Sequence, residues 1–180
     1  MKRRVFIAAA FAIALSALAY GFGILPSGAN DEQLDLAELI ATLRNDFSDV
    51  THLDTEDVAA RLGDAPGDIQ VIDVREPQEY AVSHLPGAIN IPPDTPDEEL
   101  LAAVSPDKQV IVYCSVGYRS SVLAQRLQAA GRTNVSNYIG SIFAWANAGH
   151  PLQASGQEAK LVHPYDRKWG RYLHQEYRSF

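Results

Sequence analysis

Two short runs of apolar and β-branched residues constrain the fold of this chain more than any other feature. Ile69-Gln-Val-Ile-Asp-Val74 and Gln109-Val-Ile-Val-Tyr113 both have the composition of strands, and the second run is almost continuously apolar. A strand without polar alternation is typical of a parallel sheet that is covered on both faces. The two runs therefore predict an α/β fold with a mostly parallel central sheet.

Helical segments alternate with these strands along the chain, which implies βαβ units with helices on both faces of the sheet. Apolar residues between Leu36 and Phe47 recur at helical spacing and predict a further amphipathic helix ahead of the main domain. In the helix at 119–130, Val122, Leu123, Leu127 and Ala130 are expected to face the core. The predicted strands cover residues 50–53, 69–74, 88–91, 109–113 and 135–139, and the predicted helices cover residues 54–63, 78–82, 96–104, 119–130 and 141–148.

The N-terminal residues predict export from the cytoplasm. Residues 2–4 are basic, residues 5–18 are almost purely apolar, and residues 17–19 (Ala-Leu-Ala) have the pattern of a signal-peptidase site. A cleaved signal peptide at 1–19 and an uncleaved membrane anchor are the main alternatives, because residues 5–25 are apolar enough to span a bilayer, and a buried helix of a soluble domain is the third. For a bacterial source, the expected location is the periplasm or the outer face of the inner membrane.

Charge and cysteine content exclude several classes of function. The formal net charge is −7, so the chain has no general electrostatic reason to bind nucleic acid. Cys114 is the only cysteine, which excludes an intramolecular disulfide and a site built from several thiolates. A lone cysteine is more often a small buried hydrophobe than a reactive group, and the neighbours of Cys114 decide between these interpretations.

Cys114 begins a loop that joins the strand ending at Tyr113 to a predicted helix, Cys114-Ser-Val-Gly-Tyr-Arg119-Ser120. Ligands of open α/β sheets bind at the carboxyl ends of strands, and a loop entering a helix presents unpaired N–H groups and partial positive charge. Cys114 is expected to form a thiolate readily there. Gly117 allows the left-handed backbone that a ring of inward N–H groups requires, and Arg119 adds charge for an oxyanion.

At this loop the chain resembles the rhodanese family, and the resemblance covers roughly Val50 to Pro151. It implies a rhodanese-like three-layer domain at 50–152. Residues 20–49 would then form a linker and the short helix, and residues 153–180 a basic and aromatic extension. The stretches that carry the resemblance are Ile72–Tyr80, Ser83–Pro92, Tyr113–Ser120 and Gly140–Pro151.

The resemblance implies a sulfurtransferase with a ping-pong mechanism. Cys114 would take the outer sulfur of a donor such as thiosulfate or a persulfide, and would pass it to a thiol or to cyanide. Neither a metal nor an organic cofactor is expected. The implied substrate-binding residues are Arg119, Ser115, Val116, Gly117, Tyr118 and Ser120, and the implied structural supports are Asp73, Arg75 and Glu79.

Two other uses of the loop remain open. One is a non-enzymatic sulfur carrier or a docking module for a redox partner, and the other is a phosphatase or an arsenate reductase. The cysteine phosphatases, in that resemblance, place five residues between their cysteine and arginine, whereas this chain has four, at 115–118. A shorter loop closes a smaller ring of N–H groups, which suits a single sulfur atom beyond Cys114.

The C-terminal extension carries an unusual number of aromatic and basic residues. Trp169, Tyr172, Leu173 and Glu176 follow a helical stripe. The aromatic side chains are expected to pack on the domain of the chain itself, and the alternatives are contact with a membrane surface or with a partner protein.

Overall fold

A five-stranded parallel sheet is the centre of the computed structural model, which describes residues 34–64 and 66–179. The order across the sheet is β1-β5-β4-β2-β3, and every pairing is parallel. The predicted α/β fold with a mostly parallel central sheet is confirmed. The strands are β1 (His52–Leu53), β2 (Ile69–Asp73), β3 (Ile89–Asn90), β4 (Gln109–Tyr113) and β5 (Val135–Tyr138).

Within the described residues, six α-helices connect and cover the strands. The helix predicted ahead of the main domain is present, and Asp35 caps it by accepting the Ala37 N–H at 2.8 Å. The helices are α1 (Leu36–Asp46), α2 (Thr55–Asp64), α3 (Pro77–Val82), α4 (Asp97–Ala103), α5 (Tyr118–Ala129) and α6 (Ser141–Asn147). Three short 3₁₀ segments lie at Pro66–Asp68, Trp169–Tyr172 and Gln175–Tyr177.

Strand β4 positions the functional loop. Four of its five residues are buried, as expected for a strand covered on both faces. The register places Asp73, the last residue of β2, beside Tyr113, the last residue of β4. Cys114 and the end of β2 therefore meet at the carboxyl edge of the sheet, where the sequence predicted a site.

The buried face of α5 differs from the predicted one. Val122 is 43% exposed and Ala130 is also exposed, so the prediction that these two residues face the core was wrong. Leu123 and Leu127 are buried, as predicted. The polar contacts of the helix explain the rotation: Ser121 Oγ donates to the Gly117 carbonyl at 2.7 Å and accepts from Asn137 Nδ2 at 2.8 Å. These buried bonds turn the serine inward and Val122 outward.

The C-terminal extension packs on the domain. It begins with a hairpin of β6 (Leu152–Ala154) and β7 (Gln157–Ala159), joined by Ser155 and Gly156, which both have positive φ as tight hairpin loops require. The chain then returns to the core, where Val162 and Leu173 are fully buried.

The helical stripe predicted around Trp169 was wrong. Only two single-turn 3₁₀ segments form there. The Val162 N–H donates to the Tyr177 carbonyl at 2.7 Å, and the Ser179 N–H donates to the Val162 carbonyl at 3.0 Å. This pairing of distant backbone segments holds the tail in an irregular path that a continuous helix could not follow.

Among the described residues, none of the helices combines the length and apolar character that a bilayer span requires. The signal peptide or anchor predicted at 1–19, the tether at 5–25 and most of the linker that follows lie outside the described residues.

Candidate active site

Cys114 lies at the junction of β4 and α5 and is 1% exposed. The Gly117 N–H points at its sulfur, with an N–Sγ distance of 3.1 Å. A backbone N–H directed at sulfur from a helix N-terminus stabilises the thiolate more than the neutral thiol, because it places partial positive charge beside the ionised form.

The N-terminus of α6 orients the loop. Backbone N–H groups from Gly140 and from the first turn of α6 donate to the carbonyls of Cys114, Ser115 and Val116, at 3.2, 3.1 and 2.9 Å respectively. Ser141 Oγ accepts the Cys114 N–H at 3.1 Å. These bonds turn the three carbonyls toward α6, and the Gly117 N–H that follows them is directed at the sulfur. Ser141 itself has φ of +53°, an uncommon conformation for a residue other than glycine.

Gly117 is required by both conformation and space. Its φ is +116°, and a Cβ at this position would lie 2.8 Å from Ile139 Cδ1 and 3.3 Å from Ile139 Cα. Its carbonyl accepts from Ser121 and from Asn137. The approach of this loop to the backbone after β5 therefore leaves no room for a side chain.

We expect Gly117→Ala to destabilise the protein by roughly 1–3 kcal/mol and to raise the pKa of Cys114, because the Gly117 N–H moves away from Sγ. Denaturant unfolding and an ultraviolet titration of the thiolate measure the two effects. Gly131→Ala is the matched control, because Gly131 also has positive φ (+85°) but a Cβ there meets nothing within 4 Å. Equal effects of the two substitutions would contradict the steric explanation.

The pKa of Cys114 is lowered from its usual range. Burial raises it, but the charge of Arg119, the hydroxyl and backbone N–H of Ser120, and the Gly117 N–H together lower it by more. The Ser120 hydroxyl is buried and is not engaged by any other group of the described residues, which leaves it to stabilise the thiolate.

Arg119 is held beside the cysteine by Glu79. Its Nη1 donates to Glu79 Oε2 at 2.7 Å, and its Nη2 donates to Glu79 Oε1 at 2.9 Å and to Ser115 Oγ at 2.9 Å. The Tyr165 ring covers the guanidinium, with 5.1 Å from Cζ to the ring centroid. Burial raises the pKa of Glu79, but the hydrogen bonds and charge of Arg119 lower it by more, so Glu79 stays ionised.

Arg119→Ala is expected to raise the pKa of Cys114, since it removes the positive charge that lowers this pKa, and Arg119→Lys is expected to raise it less. An ultraviolet titration of the thiolate measures this pKa, and its thiol signal comes from Cys114 alone, because the chain has no other thiol. The lowered pKa of Glu79 adds stability that is present above its unfolded pKa and is lost as the pH falls through the folded pKa. Arg119→Ala should remove that contribution to stability. An unchanged pKa of Cys114 in Arg119→Ala would contradict the role given to Arg119.

Asp73 and Arg75 form a fully buried ion pair behind the loop. Arg75 Nη2 donates to Asp73 Oδ2 at 2.6 Å and to the Ser83 carbonyl at 2.6 Å, and the Tyr113 hydroxyl donates to Asp73 Oδ2 at 2.7 Å. The pair thus connects β2, β4 and the segment after α3. Neither side chain touches Cys114 in these contacts, which fits structural support.

The loop faces a pocket of about 230 Å³. Its amides and Arg119 favour an anion at the inner end, next to the sulfur. Within residues 34–64 and 66–179, no three His, Cys, Asp or Glu side chains are grouped as metal ligands would be. The pocket is lined by Cys114, Ser115, Val116, Tyr118, Arg119, Tyr165 and Trp169.

The structure brings most of the predicted site residues together. Gly117 and Ser120 contribute through their amides and, for Ser120, the hydroxyl, while Asp73, Arg75 and Glu79 lie behind or beside the loop. Sequence reasoning missed the contributions of Ser141, Ser121, Asn137, Tyr165 and Trp169. The Gly-Ser pair at the start of α6 and the aromatic residues of the C-terminal extension were the available signals, but the sequence does not show which groups they contact.

Comparison with known proteins identifies a family whose matched residues include the Cys114 loop. A family model described as the rhodanese-like domain matches residues 54–148. A protein of Allochromatium vinosum named sulfurtransferase is 32% identical over 105 residues, which are 58% of this chain and 96% of that one. The thiosulfate:glutathione sulfurtransferase of Saccharomyces cerevisiae is 31% identical over 114 residues, covering 57% of this chain and 82% of the yeast protein.

A solved structure agrees with these sequence matches. The crystal structure of a rhodanese-like domain protein from Staphylococcus aureus is similar with a TM-score of 0.52 and 26% identity. The match covers 59% of this chain and 99% of the other. Tyr165 and Trp169, which line the pocket, both follow the end of the family match at residue 148.

Proposed function

The chain belongs to the rhodanese-like domain family, and we propose that it is a sulfurtransferase that carries sulfane sulfur on Cys114. Sulfurtransferase activity in general is supported by the family and by the names of the relatives. The observation that carries the finer proposal is the buried Cys114 sulfur with a lowered thiol pKa and the Gly117 N–H directed at it.

The geometry supports a two-step reaction with thiosulfate as a donor. The Cys114 thiolate attacks the outer sulfur, a new S–S bond forms, and the bond to the sulfonyl sulfur breaks. Sulfite leaves with the bonding electron pair, so charge is conserved. The outer sulfur of the Cys114 persulfide then lies among the loop amides and the Ser120 hydroxyl. A thiolate or cyanide attacks that sulfur and releases the Cys114 thiolate.

The loop fits sulfur better than phosphorus. Four residues separate Cys114 from Arg119, and Arg119 spends three of its five N–H groups on Glu79 and Ser115. A phosphoryl group held on Cys114 needs donors for three oxygens, whereas a persulfide leaves only one sulfur atom there. No acidic residue lies within the loop to protonate a leaving alkoxide. A non-enzymatic docking role would not require the lowered pKa of Cys114, a thiol that lines the pocket.

Intact mass measurement after thiosulfate treatment tests the proposal. We expect an adduct of about 32 Da, one sulfur atom, that cyanide removes and returns as thiocyanate. We expect no appreciable hydrolysis of p-nitrophenyl phosphate. A chain that takes up no sulfur would contradict the proposal and favour a docking module, and phosphatase turnover comparable to sulfur transfer would favour phosphoryl chemistry.

We also propose that the body of the protein acts outside the cytoplasm. The support is the basic start, the apolar segment and the Ala-Leu-Ala pattern within residues 1–19. N-terminal sequencing of protein from fractionated cells distinguishes cleavage after residue 19 from a retained anchor. Full-length protein in the soluble cytoplasmic fraction would contradict both alternatives.

A further inference from the structure

The C-terminal extension (153–180) places two aromatic side chains in the pocket that contains Cys114. Tyr165 and Trp169 line the same cavity as Cys114. Tyr165 is 52% exposed and Trp169 is partly buried against the core. Neither residue lies within the family match at 54–148. These two side chains are therefore the aromatic wall that this chain adds to the common domain.

The aromatic wall is fixed in place. Asn147, at the end of α6, donates from Nδ2 to the Tyr172 carbonyl at 3.0 Å and accepts the His174 N–H at Oδ1 at 2.8 Å. Leu173 is fully buried between those two contacts. The segment that carries Trp169 is thus anchored to the helix whose first turn orients the Cys114 loop.

Tyr165 is held in an uncommon backbone conformation. Its φ is +67°, which is rare for a residue other than glycine. Its N–H donates to His163 Nδ1 at 3.0 Å, and its ring lies over the Arg119 guanidinium. The ring therefore stands between solvent and the cation beside the reacting sulfur.

The pocket has two chemically different ends. The inner end offers the loop amides and Arg119, which suit an anionic sulfur group. The outer end offers the rings of Tyr165 and Trp169, which suit an apolar group. Between these two residues in the chain, Arg167 and Lys168 are exposed and add positive charge to the tail. Thiosulfate has no apolar part and would leave the aromatic wall in contact with water.

Building on the proposed sulfurtransferase function, we infer that Tyr165 and Trp169 determine specificity for sulfur donors that carry an apolar organic group, of the thiosulfonate type R–SO₂–S⁻. The Cys114 thiolate bonds to the terminal sulfur, the bond between that sulfur and the sulfonyl sulfur breaks, and the sulfinate R–SO₂⁻ leaves with the electron pair. The apolar group R packs on the aromatic wall. No oxidant or reductant is required.

Steady-state kinetics with two donors and one acceptor test the inference. In a ping-pong mechanism, kcat/KM for the donor reports the donor half-reaction alone. Benzenethiosulfonate and thiosulfate are compared, each with cyanide. We expect the ratio of kcat/KM for benzenethiosulfonate to that for thiosulfate to fall by about tenfold in Trp169→Ala and in Tyr165→Ala. Trp169→Phe should retain most of the ratio, because it keeps an aromatic face.

Leu161→Ala is the matched control. Leu161 is an apolar residue of the same tail, 44% exposed, and is not among the residues that line the pocket. We expect it to leave the ratio unchanged. Tyr165→Ala decides the matter if Trp169→Ala fails to fold, because half of the Tyr165 side chain is already in solvent.

The two proposals fail in different ways. If the wild-type protein forms no persulfide with either donor, the sulfurtransferase function itself is wrong. If the persulfide forms but the donor ratio stays within about twofold of wild type in Tyr165→Ala and in a folded Trp169→Ala, the specificity role of the aromatic wall is overturned while the function stands.

Discussion

Cys114→Ser is expected to abolish sulfur transfer and to leave the fold intact. Cys114 is the only thiol in the chain, so no second thiol can take over its role. Serine is close in size and its oxygen can still accept the Gly117 N–H, but a hydroxyl does not ionise near neutral pH and forms no persulfide. We expect turnover of thiosulfate with cyanide to fall below about a hundredth of the wild-type value.

Unfolding curves and intact mass provide the control for Cys114→Ser. Because the substitution removes one buried sulfur and leaves the loop geometry, the unfolding free energy should change by about 1–2 kcal/mol at most. The variant should show no adduct of about one sulfur atom after thiosulfate treatment. Turnover above the stated level would mean that sulfur passes through a group other than Cys114.

Asp73→Ala is expected to cause the largest loss of stability of any substitution considered. Asp73 and Arg75 are both fully buried. Removing the carboxylate leaves the Arg75 charge without its partner in the protein interior, where Nη1 already has no hydrogen-bond partner among the described residues. It also removes the acceptor of the Tyr113 hydroxyl. Breaking one side of a buried ion pair costs about 3–5 kcal/mol.

Urea unfolding at constant pH measures this loss, and an exposed pair provides the comparison. Arg44 pairs with Asp54 at the surface, where the side chains are 36% and 58% exposed. Arg44→Ala should therefore cost less than about 1 kcal/mol. Asp73→Asn keeps the shape of the side chain and most of its hydrogen bonds, so its loss of unfolding free energy should lie between those of Asp73→Ala and Arg44→Ala. A loss in Asp73→Ala no larger than that in Arg44→Ala would show that the buried pair is not a support of the site.

The elements of the fold were predictable because their signals are local. The apolar run at 109–113 forms β4 with the predicted bounds, since a continuously apolar strand is compatible with few positions other than the centre of a parallel sheet. Gly117 was also predictable, because a loop that turns its N–H groups inward needs positive φ at one position. The hairpin of β6 and β7 was missed, because each strand has only three residues and half of the six are polar.

What the sequence alone determined was the order of strands and helices, the place of Cys114 at the end of a central strand and the chemistry of its loop. These follow from side-chain periodicity and from residues adjacent in the chain. The tertiary structure decided which groups meet: Glu79 reaches Arg119 across 40 residues of chain, the first turn of α6 orients the loop, and Trp169 lines the pocket. Such contacts depend on packing between distant segments, which propensity and spacing do not encode.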